Sequence, residues 1–255
     1  IQKWLKAGVM EQGRWFETVE GTPQGSVISP VLANLYLHYV LDLWVHQWRR
    51  RKAKGDVMVC RYADDAVLGF QHREEAEQFL EQLRERLAKF GLELHPEKTR
   101  LIEFGRYATE RRKRLGLGKP ETSDFLGFTH ICGTTHKTGC FTIRRQTKRQ
   151  RMTAKLKEIK AQLKVRRHES HVKTVKWLQS VVRGYFQYHA IPDNQARLEA
   201  FRQEVLRMWL QQLRRRSQRS RWNWECFMER LGHLLPEIRV LHPYPTVRFD
   251  AKYLR

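Results

Sequence analysis

The stretch Val57 to Phe70 reads Val-Met-Val-Cys-Arg-Tyr-Ala-Asp-Asp-Ala-Val-Leu-Gly-Phe, two apolar, partly β-branched runs on either side of adjacent carboxylates. Such runs predict a strand-turn-strand hairpin. Neighbouring side chains on a strand point to opposite faces, so Asp64 and Asp65 share one site only if the chain reverses there. Carboxylates held close together repel unless a cation lies between them, and Mg²⁺ commonly takes one or two carboxylates together with substrate phosphates. The pair therefore points to phosphoryl transfer with Mg²⁺, or Mn²⁺ in its place. Taken alone, an Asp-Asp turn reads first as a solvated acidic loop, and the surrounding segments reverse that preference.

Upstream, Gly21 to Gly25 forms a loop in which two glycines allow close backbone approach to a ligand and Pro23 stiffens the turn. A helix follows, with Ser29 expected as N-cap and Pro30 at N1, where a missing N–H costs nothing. Leu32, Leu35, Tyr36, Tyr39, Val40, Leu43 and Trp44 give it a buried face, while Pro30, Asn34, His38 and Asp42 recur every fourth position on another. It ends in the basic run 49–54. Residues 1–12 read as the end of a helix, and Arg14 to Glu20 as a short strand. Downstream, Arg73 to Phe90 has helical spacing with Gly91 as C′ residue. Thr99 to Phe104 is expected to be a strand, residues 105–120 a basic loop, and Asp124 to Thr129 an apolar strand whose Gly127 admits a close backbone. His130, Cys132, His136 and Cys140 could ligate zinc by type, but the Gly- and Thr-rich spacing suggests a hairpin and not a zinc knuckle.

From about residue 144 the pattern changes to long amphipathic helices, 146–167, 171–189, 194–215 and 222–234, with a Pro-rich, extended tail that folds back over them. The charge changes too. Residues 1–144 carry 23 Lys and Arg against 18 Asp and Glu, whereas residues 145–255 carry 26 against 9. The whole chain has a formal charge of +22, which calls for a polyanionic partner. Anionic membrane is the rival partner, but no apolar run is long enough to span a bilayer: the best stretch, 27–45, is broken by its polar stripe, and no membrane partner is expected. Four cysteines without a C-x-x-C pair and no secretory signal at Ile1 fit a cytoplasmic protein.

Tyr62-Ala63-Asp64-Asp65 resembles the signature of reverse transcriptases, and Gly21-Thr22-Pro23-Gln24-Gly25-Ser26-Val27-Ile28-Ser29-Pro30 resembles their template-contacting block. His95-Pro96-Glu97-Lys98-Thr99 and Phe125-Leu126-Gly127-Phe128 follow in the same family's order. Gly184-Tyr185-Phe186-Gln187-Tyr188, Leu213-Arg214-Arg215-Arg216-Ser217-Gln218 and Val240-Leu241-His242-Pro243-Tyr244-Pro245 resemble the thumb and maturase region of bacterial group II intron proteins. The resemblance implies an α+β fold: a partial reverse-transcriptase palm, an antiparallel sheet with helices packed on it, over residues 1–143, then an all-α thumb/maturase domain over 144–255.

By the same resemblance Asp64 and Asp65 are the metal-binding catalytic carboxylates, Lys98 a general acid for the leaving pyrophosphate (its other reading being a salt-bridged turn lysine), and Pro23, Gln24, Gly25, Tyr62 and Ala63 contacts to template and nucleotide. Phe125, Leu126, Gly127 and Phe128 are then the primer grip. Arg144, Arg145, Lys148, Arg149, Arg214, Arg215 and Arg216 are then RNA-binding residues. The implied partners are group II intron RNA, an RNA template, a DNA primer and deoxynucleoside triphosphates. The family's remaining carboxylate and its fingers are expected ahead of Ile1, so the 255 residues by themselves are expected to be inert. An RNA-binding maturase without catalysis, or a truncated remnant, is the alternative, and a basic membrane-surface or nucleoid-binding protein, marked by indiscriminate binding to any polyanion, a third.

Overall fold

The computed structural model describes residues 8–11, 14–16, 27–135 and 139–245, in two units, Ile1–Ile102 and Glu103–Arg255. In the first, β1 (Val9–Glu11) and β2 (Arg14–Phe16) pair antiparallel, Val9 opposite Phe16. A strand thus stands at Val9–Glu11 where helix was expected, and the apolar, β-suited residues Val9, Trp15 and Phe16 fit that ladder. The helical stretch that follows is α1 (Ser29–Leu37), a π-helical turn (His38–Asp42) and α2 (Leu43–Arg51). Ile28 takes the cap position, so Ser29 lies inside the first turn and Pro30 where its absent N–H is not missed. In the π turn the Leu43 N–H reaches back to His38 O. The widened turn offers the Val40 and Tyr39 carbonyls to Arg86, at 3.1 and 3.5 Å.

Strands β3 (Val57–Tyr62) and β4 (Asp65–Phe70) form a hairpin with Tyr62 opposite Asp65 at its tip and Val57 opposite Phe70 at its base. Helix α3 (Arg73–Ala88) returns beside it. Val40, Val45, Trp48, Val57, Phe79 and Leu83 make the core between them. Trp48 meets Phe70 and Phe79 edge-on and donates its indole N–H to Gln82 at 2.9 Å, a packing that ties the base of the hairpin to two helices. Bonds from Gly91 N–H to Ala88 O and from Leu92 N–H to Leu87 O close α3 as a Schellman motif, with Gly91 at φ +65°. The expected strand at Thr99–Phe104 does not form. The Lys98 and Thr99 N–H groups turn back to His95 O, and no strand among the described residues pairs with the segment beyond.

The second unit begins with α4 (Arg106–Arg114), where a basic loop was expected. Arg and Lys are good helix formers, Arg111 pairs with Glu103, and glycines at positive φ, Gly105 and Gly116, stand at the two ends. The apolar stretch at 124–129 is not one strand. It divides into β5 (Ser123–Phe125) and β6 (Phe128–Thr134), joined by Leu126 at φ +48° and Gly127 at φ +80°. Positive φ at both central residues marks a type I′ hairpin turn. Strand β7 (Phe141–Thr147) completes a three-stranded antiparallel sheet in the order β5-β6-β7.

Four helices then fall where the apolar spacing predicts them: α5 (Arg149–Val165), α6 (His171–His189), α7 (Gln195–Arg214) and α8 (Trp224–Arg230). Leu178, Val182, Leu198, Phe201, Val205 and Leu206 are fully buried, Tyr185 stacks on Phe201 at 3.7 Å between centroids, and Trp209 meets Phe227 edge-on. The tail, as far as residue 245, lies over these helices through bonds from the Leu241 and His242 N–H groups to Ala190 O. By compactness, β5–β7 group with the helices, whereas residue type alone draws the line at 143/144. The physical link is Asn194, fully buried: its Oδ1 accepts from Thr147 N–H at 2.9 Å, and its Nδ2 donates to Thr147 Oγ1 and His189 O at 2.7 and 2.8 Å. Among the described residues no helix is long and apolar enough to cross a membrane.

His189 stacks on Tyr185 at 4.2 Å, hydrogen-bonds Tyr185 O through Nδ1, and has a buried Nε2 with no partner. Burial pushes its imidazole below the usual histidine range, and burial does the same to His130 and His171. A histidine whose folded pKa is depressed binds fewer protons folded than unfolded, so its contribution is complete above about pH 6.5 and is lost as pH falls from there towards the folded pKa. Denaturant unfolding followed by tryptophan fluorescence should therefore show stability declining below about pH 6.5, and His189→Phe should make that decline shallower.

Candidate functional site

Two residues, Ala63 and Asp64, close the β3–β4 hairpin. Ala63 is at φ +54° and Asp64 is not at positive φ, the pattern of a type II′ turn with alanine where glycine is usual. Positive φ at a residue with a Cβ costs about 1–3 kcal/mol and persists only where the surroundings over-determine it. Here the surroundings are one side chain. Arg61 donates through Nη1 to Ala63 O at 2.7 Å and to Asn34 Oδ1 at 2.9 Å. Its Nε and Nη2 meet Asp42 Oδ1 and Oδ2 at 2.7 and 2.6 Å. The turn is thus fastened to the stripe Asn34, His38, Asp42, with His38 Nδ1 3.4 Å from Asp42.

That fork separates the acidic groups. Arg61's hydrogen bonds hold the Asp42 carboxyl below the ordinary carboxylate range, against the opposing effect of burial, and Asp42 in turn raises Arg61. Asp42 is therefore committed to a cation of the protein itself. Asp64 and Asp65 are exposed, and no cation of the described residues pairs with either. Asp56 is at the far end of the hairpin, beside the Val57–Phe70 pair. Two adjacent unneutralised carboxylates on a fixed turn suit part of a divalent-ion site. Among the described residues no group of three potential ligands gathers, so these two fit half of such a site and not the whole.

Other candidates fall as follows. Tyr62 precedes the turn and is 65% exposed. Lys98 is exposed on the 96–98 turn. Pro23, Gln24 and Gly25 lie outside the described residues, as does His136. Phe125 to Phe128 are the paired ends and turn of the β5–β6 hairpin. Tyr188 donates to Leu126 O at 2.7 Å and stacks on Phe128, Lys148 N–H donates to Gly127 O at 3.0 Å, and Arg151 packs where a side chain on Gly127 would stand.

The basic residues differ among themselves. Arg149 and Arg215 are exposed. Lys148 pairs with Asp124 at 2.9 Å, Arg144 donates to Thr134 O at 2.6 Å, and Arg145 lies in β7 opposite His130. Arg214 donates to Trp222 O, and Arg216 is bound to Glu169 O at 2.7 Å with its pKa lowered by burial. Arg61 and Asn34 are the residues that motif reading passed over. Their signal was present: a polar stripe at every fourth position facing an arginine placed directly before the Tyr-Ala-Asp-Asp run.

The family described as reverse transcriptase (RNA-dependent DNA polymerase) matches residues 1–130. Group II intron-encoded protein LtrA of Lactococcus lactis subsp. cremoris is 49% identical over 51 residues, 20% of this chain and 8% of LtrA. An uncharacterized 91 kDa protein in the cob intron of Schizosaccharomyces pombe is 53% identical over 38 residues, 15% of this chain and 5% of its own. Protein YkfC of Escherichia coli K12 is 32% identical over 27% of this chain and 24% of YkfC. The matched stretches cover less than a quarter of each of these relatives.

Arg61→Lys keeps the charge but cannot hold Asp42, Asn34 and Ala63 at once. It should cost about 1–3 kcal/mol of stability in the first unit. Hydrogen exchange should accelerate first at the amides of 62–66, because the strained turn loses its restraint while the Trp48 core stays intact. Equal acceleration throughout the unit would mean that Arg61 supports the fold at large and not the turn.

Proposed function

We propose that this chain, which belongs to the reverse transcriptase (RNA-dependent DNA polymerase) family, carries the carboxylate turn and the nucleic-acid-holding helices of a group II intron reverse transcriptase that also binds its intron RNA as a maturase. The observation that carries the reading is the pair Asp64 and Asp65, unneutralised on a turn that Arg61 fixes. Mg²⁺, or Mn²⁺ in its place, would be held by these two and would supply the positive charge that stabilises the attacking hydroxyl and the departing pyrophosphate. Arg61 keeps both carboxylates in register, and Tyr62 offers an exposed ring beside them for a nucleotide to rest against. Lys98, exposed on its turn, is the proton donor for the leaving group.

On this reading the palm covers residues 1–143 and the thumb/maturase part 144–255. The turn 125–128 is the primer grip, held rigid from behind by Tyr188, Lys148 and Arg151. Pro23, Gln24 and Gly25 contact template and nucleotide. The partners are group II intron RNA, an RNA template, a DNA primer and deoxynucleoside triphosphates. A second reading, a maturase that binds RNA without polymerising, is favoured by one observation: only two carboxylates assemble among the described residues.

Primer extension on an RNA template with a DNA primer distinguishes the two. With two carboxylates gathered among the described residues, the 255 residues alone should incorporate no more than traces, since each element of transition-state stabilisation not in place costs about 3–4 kcal/mol, or 10²–10³ in rate. Joined to the N-terminal segment of a group II intron reverse transcriptase, the chain should extend the primer, and Asp64→Ala with Asp65→Ala should abolish extension. A joined protein that binds intron RNA yet never extends a primer would establish the maturase reading instead.

RNA affinity is expected to fall steeply with salt. Arg149→Gln and Arg215→Gln, changes at exposed cations, should each reduce the slope of log K against log salt by about 0.7 on single strands or 0.9 on duplex. Arg216 is unsuited to this test because its guanidinium is bonded within the fold. A slope unchanged in the double variant would remove these two residues from the RNA surface.

A further inference from the structure

Where the end of α5, the start of α6 and the last turns of α7 meet, Arg166, Arg167, Thr174, Trp209, Gln212 and Arg216 line a cavity of about 10 Å³. That is about the room of one water, and a somewhat larger monatomic ion enters if the half-buried side chains of Arg166 and Arg216 give by a few tenths of an ångström. Four N–H groups on the residues around it are buried with no acceptor: Arg166 Nε, Trp209 Nε1, Gln212 Nε2 and Arg216 Nε. Trp209 and Gln212 are 1% and 3% exposed. Each orphaned buried donor carries an uncompensated desolvation penalty, and four around one space are unusual in a native interior.

The arrangement cannot be relieved by turning side chains over. Gln212 Oε1 accepts from Arg167 Nε at 3.2 Å, which fixes the amide with its NH₂ as the free end. Both orphaned guanidiniums are held by their outer nitrogens. Arg166 Nη1 grips the Glu169 carboxylate at 3.1 and 3.0 Å, and Arg216 Nη2 donates to Glu169 O. Thr174 spends its hydroxyl proton on Ser170 O at 3.2 Å, leaving its oxygen as a single weak acceptor. Three arginines line the space, and the single carboxylate bonded to any of them, that of Glu169, is taken by Arg166 alone, so the locality carries excess positive charge.

A water molecule matches this poorly. It accepts two hydrogen bonds and must place two protons of its own, whereas the residues lining the cavity carry four partnerless donors and almost no free acceptor. A spherical anion accepts from all four donors and offsets the charge, and a phosphate or other oxyanion exceeds the space. We infer that the cavity is a binding site for a small monovalent anion of chloride size, held by Arg166 Nε, Trp209 Nε1, Gln212 Nε2 and Arg216 Nε, which locks the junction of α5, α6 and α7. This site is independent of the polymerase reading.

The test is thermal unfolding of the full chain in chloride, bromide and gluconate at equal pH and ionic strength, with two variants. Because a chain of charge +22 attracts anions everywhere, the reading is the difference between the variants and the unmodified chain. The unmodified chain should gain several degrees, saturably, in chloride and bromide but not in gluconate. Trp209→Phe keeps the ring and removes one donor, and should need about tenfold more chloride for the same gain, a loss of about 1.4 kcal/mol. Gln212→Glu places a carboxylate at the cavity wall while keeping an oxygen for Arg167, and should unfold in gluconate near the chloride midpoint of the unmodified chain, with the halide response gone. Crystals grown in bromide should show an anomalous peak between Trp209 and Arg216. The same halide response in all three proteins, or a cavity without bromide, would overturn the assignment and leave a water there. If Gln212→Glu does not fold, the Trp209→Phe titration and the bromide peak decide alone.

Discussion

The first unit depends on a guanidinium fork between a strand and a helix. Arg61 stands one residue before Tyr62 and four bonds leave it, two to Asp42, one to Asn34 and one to Ala63 O. The energetic logic runs from the helix to the turn. Asp42 and Asn34 are fixed because their helix buries Val40, Val45 and Trp48, so Arg61 transmits the rigidity of a packed core to a strained alanine at the surface. Bidentate, charge-assisted bonds are strong enough to offset the backbone cost of positive φ at Ala63. What emerges at the tip is a pair of carboxylates without a counter-ion among the described residues.

The second unit solves a similar problem with a neutral network. Asn194 satisfies both polar groups of Thr147 and the end of α6, so the β5–β7 sheet is attached to the helices by buried hydrogen bonds as well as by the Phe128–Tyr188 stack. The two-residue turn at Leu126-Gly127 is backed by Arg151, which leaves no room for a side chain at Gly127. In both units, a tight turn carrying candidate functional groups is braced by long side chains from an adjoining helix or strand.

Much of this was legible in the sequence, for identifiable reasons. The three long helices of the second unit and the short one after them follow from apolar periodicity, and the Asp-Asp hairpin from two β-branched runs about a short polar break. Two failures had a common cause: sequence shows an apolar or basic run but not its partner. Thr99 to Phe104 is apolar enough for a strand and finds no neighbour among the described residues, and Asp124 to Thr129 reads as one strand until Leu126 takes a left-handed conformation that no propensity announces for leucine. Residues 106–114 were misread by charge, since their helix is made by Arg and Lys, good formers that a loop reading took for solvation. Within the candidate site the carboxylates were legible, whereas Arg61 was hidden because its role exists only once helix and hairpin are packed together.

The central claim is that Asp64 and Asp65 form a divalent-ion-holding turn kept in place by Arg61. It is tested most directly by titrating Mn²⁺ into the isotopically labelled chain and following paramagnetic broadening of backbone amides. The account predicts that residues 62–66 broaden first, at a low affinity proper to two carboxylates with water in the remaining positions, and that Asp64→Ala removes the effect while Asp56→Ala leaves it. Broadening that begins elsewhere, or that survives Asp64→Ala unchanged, would contradict it.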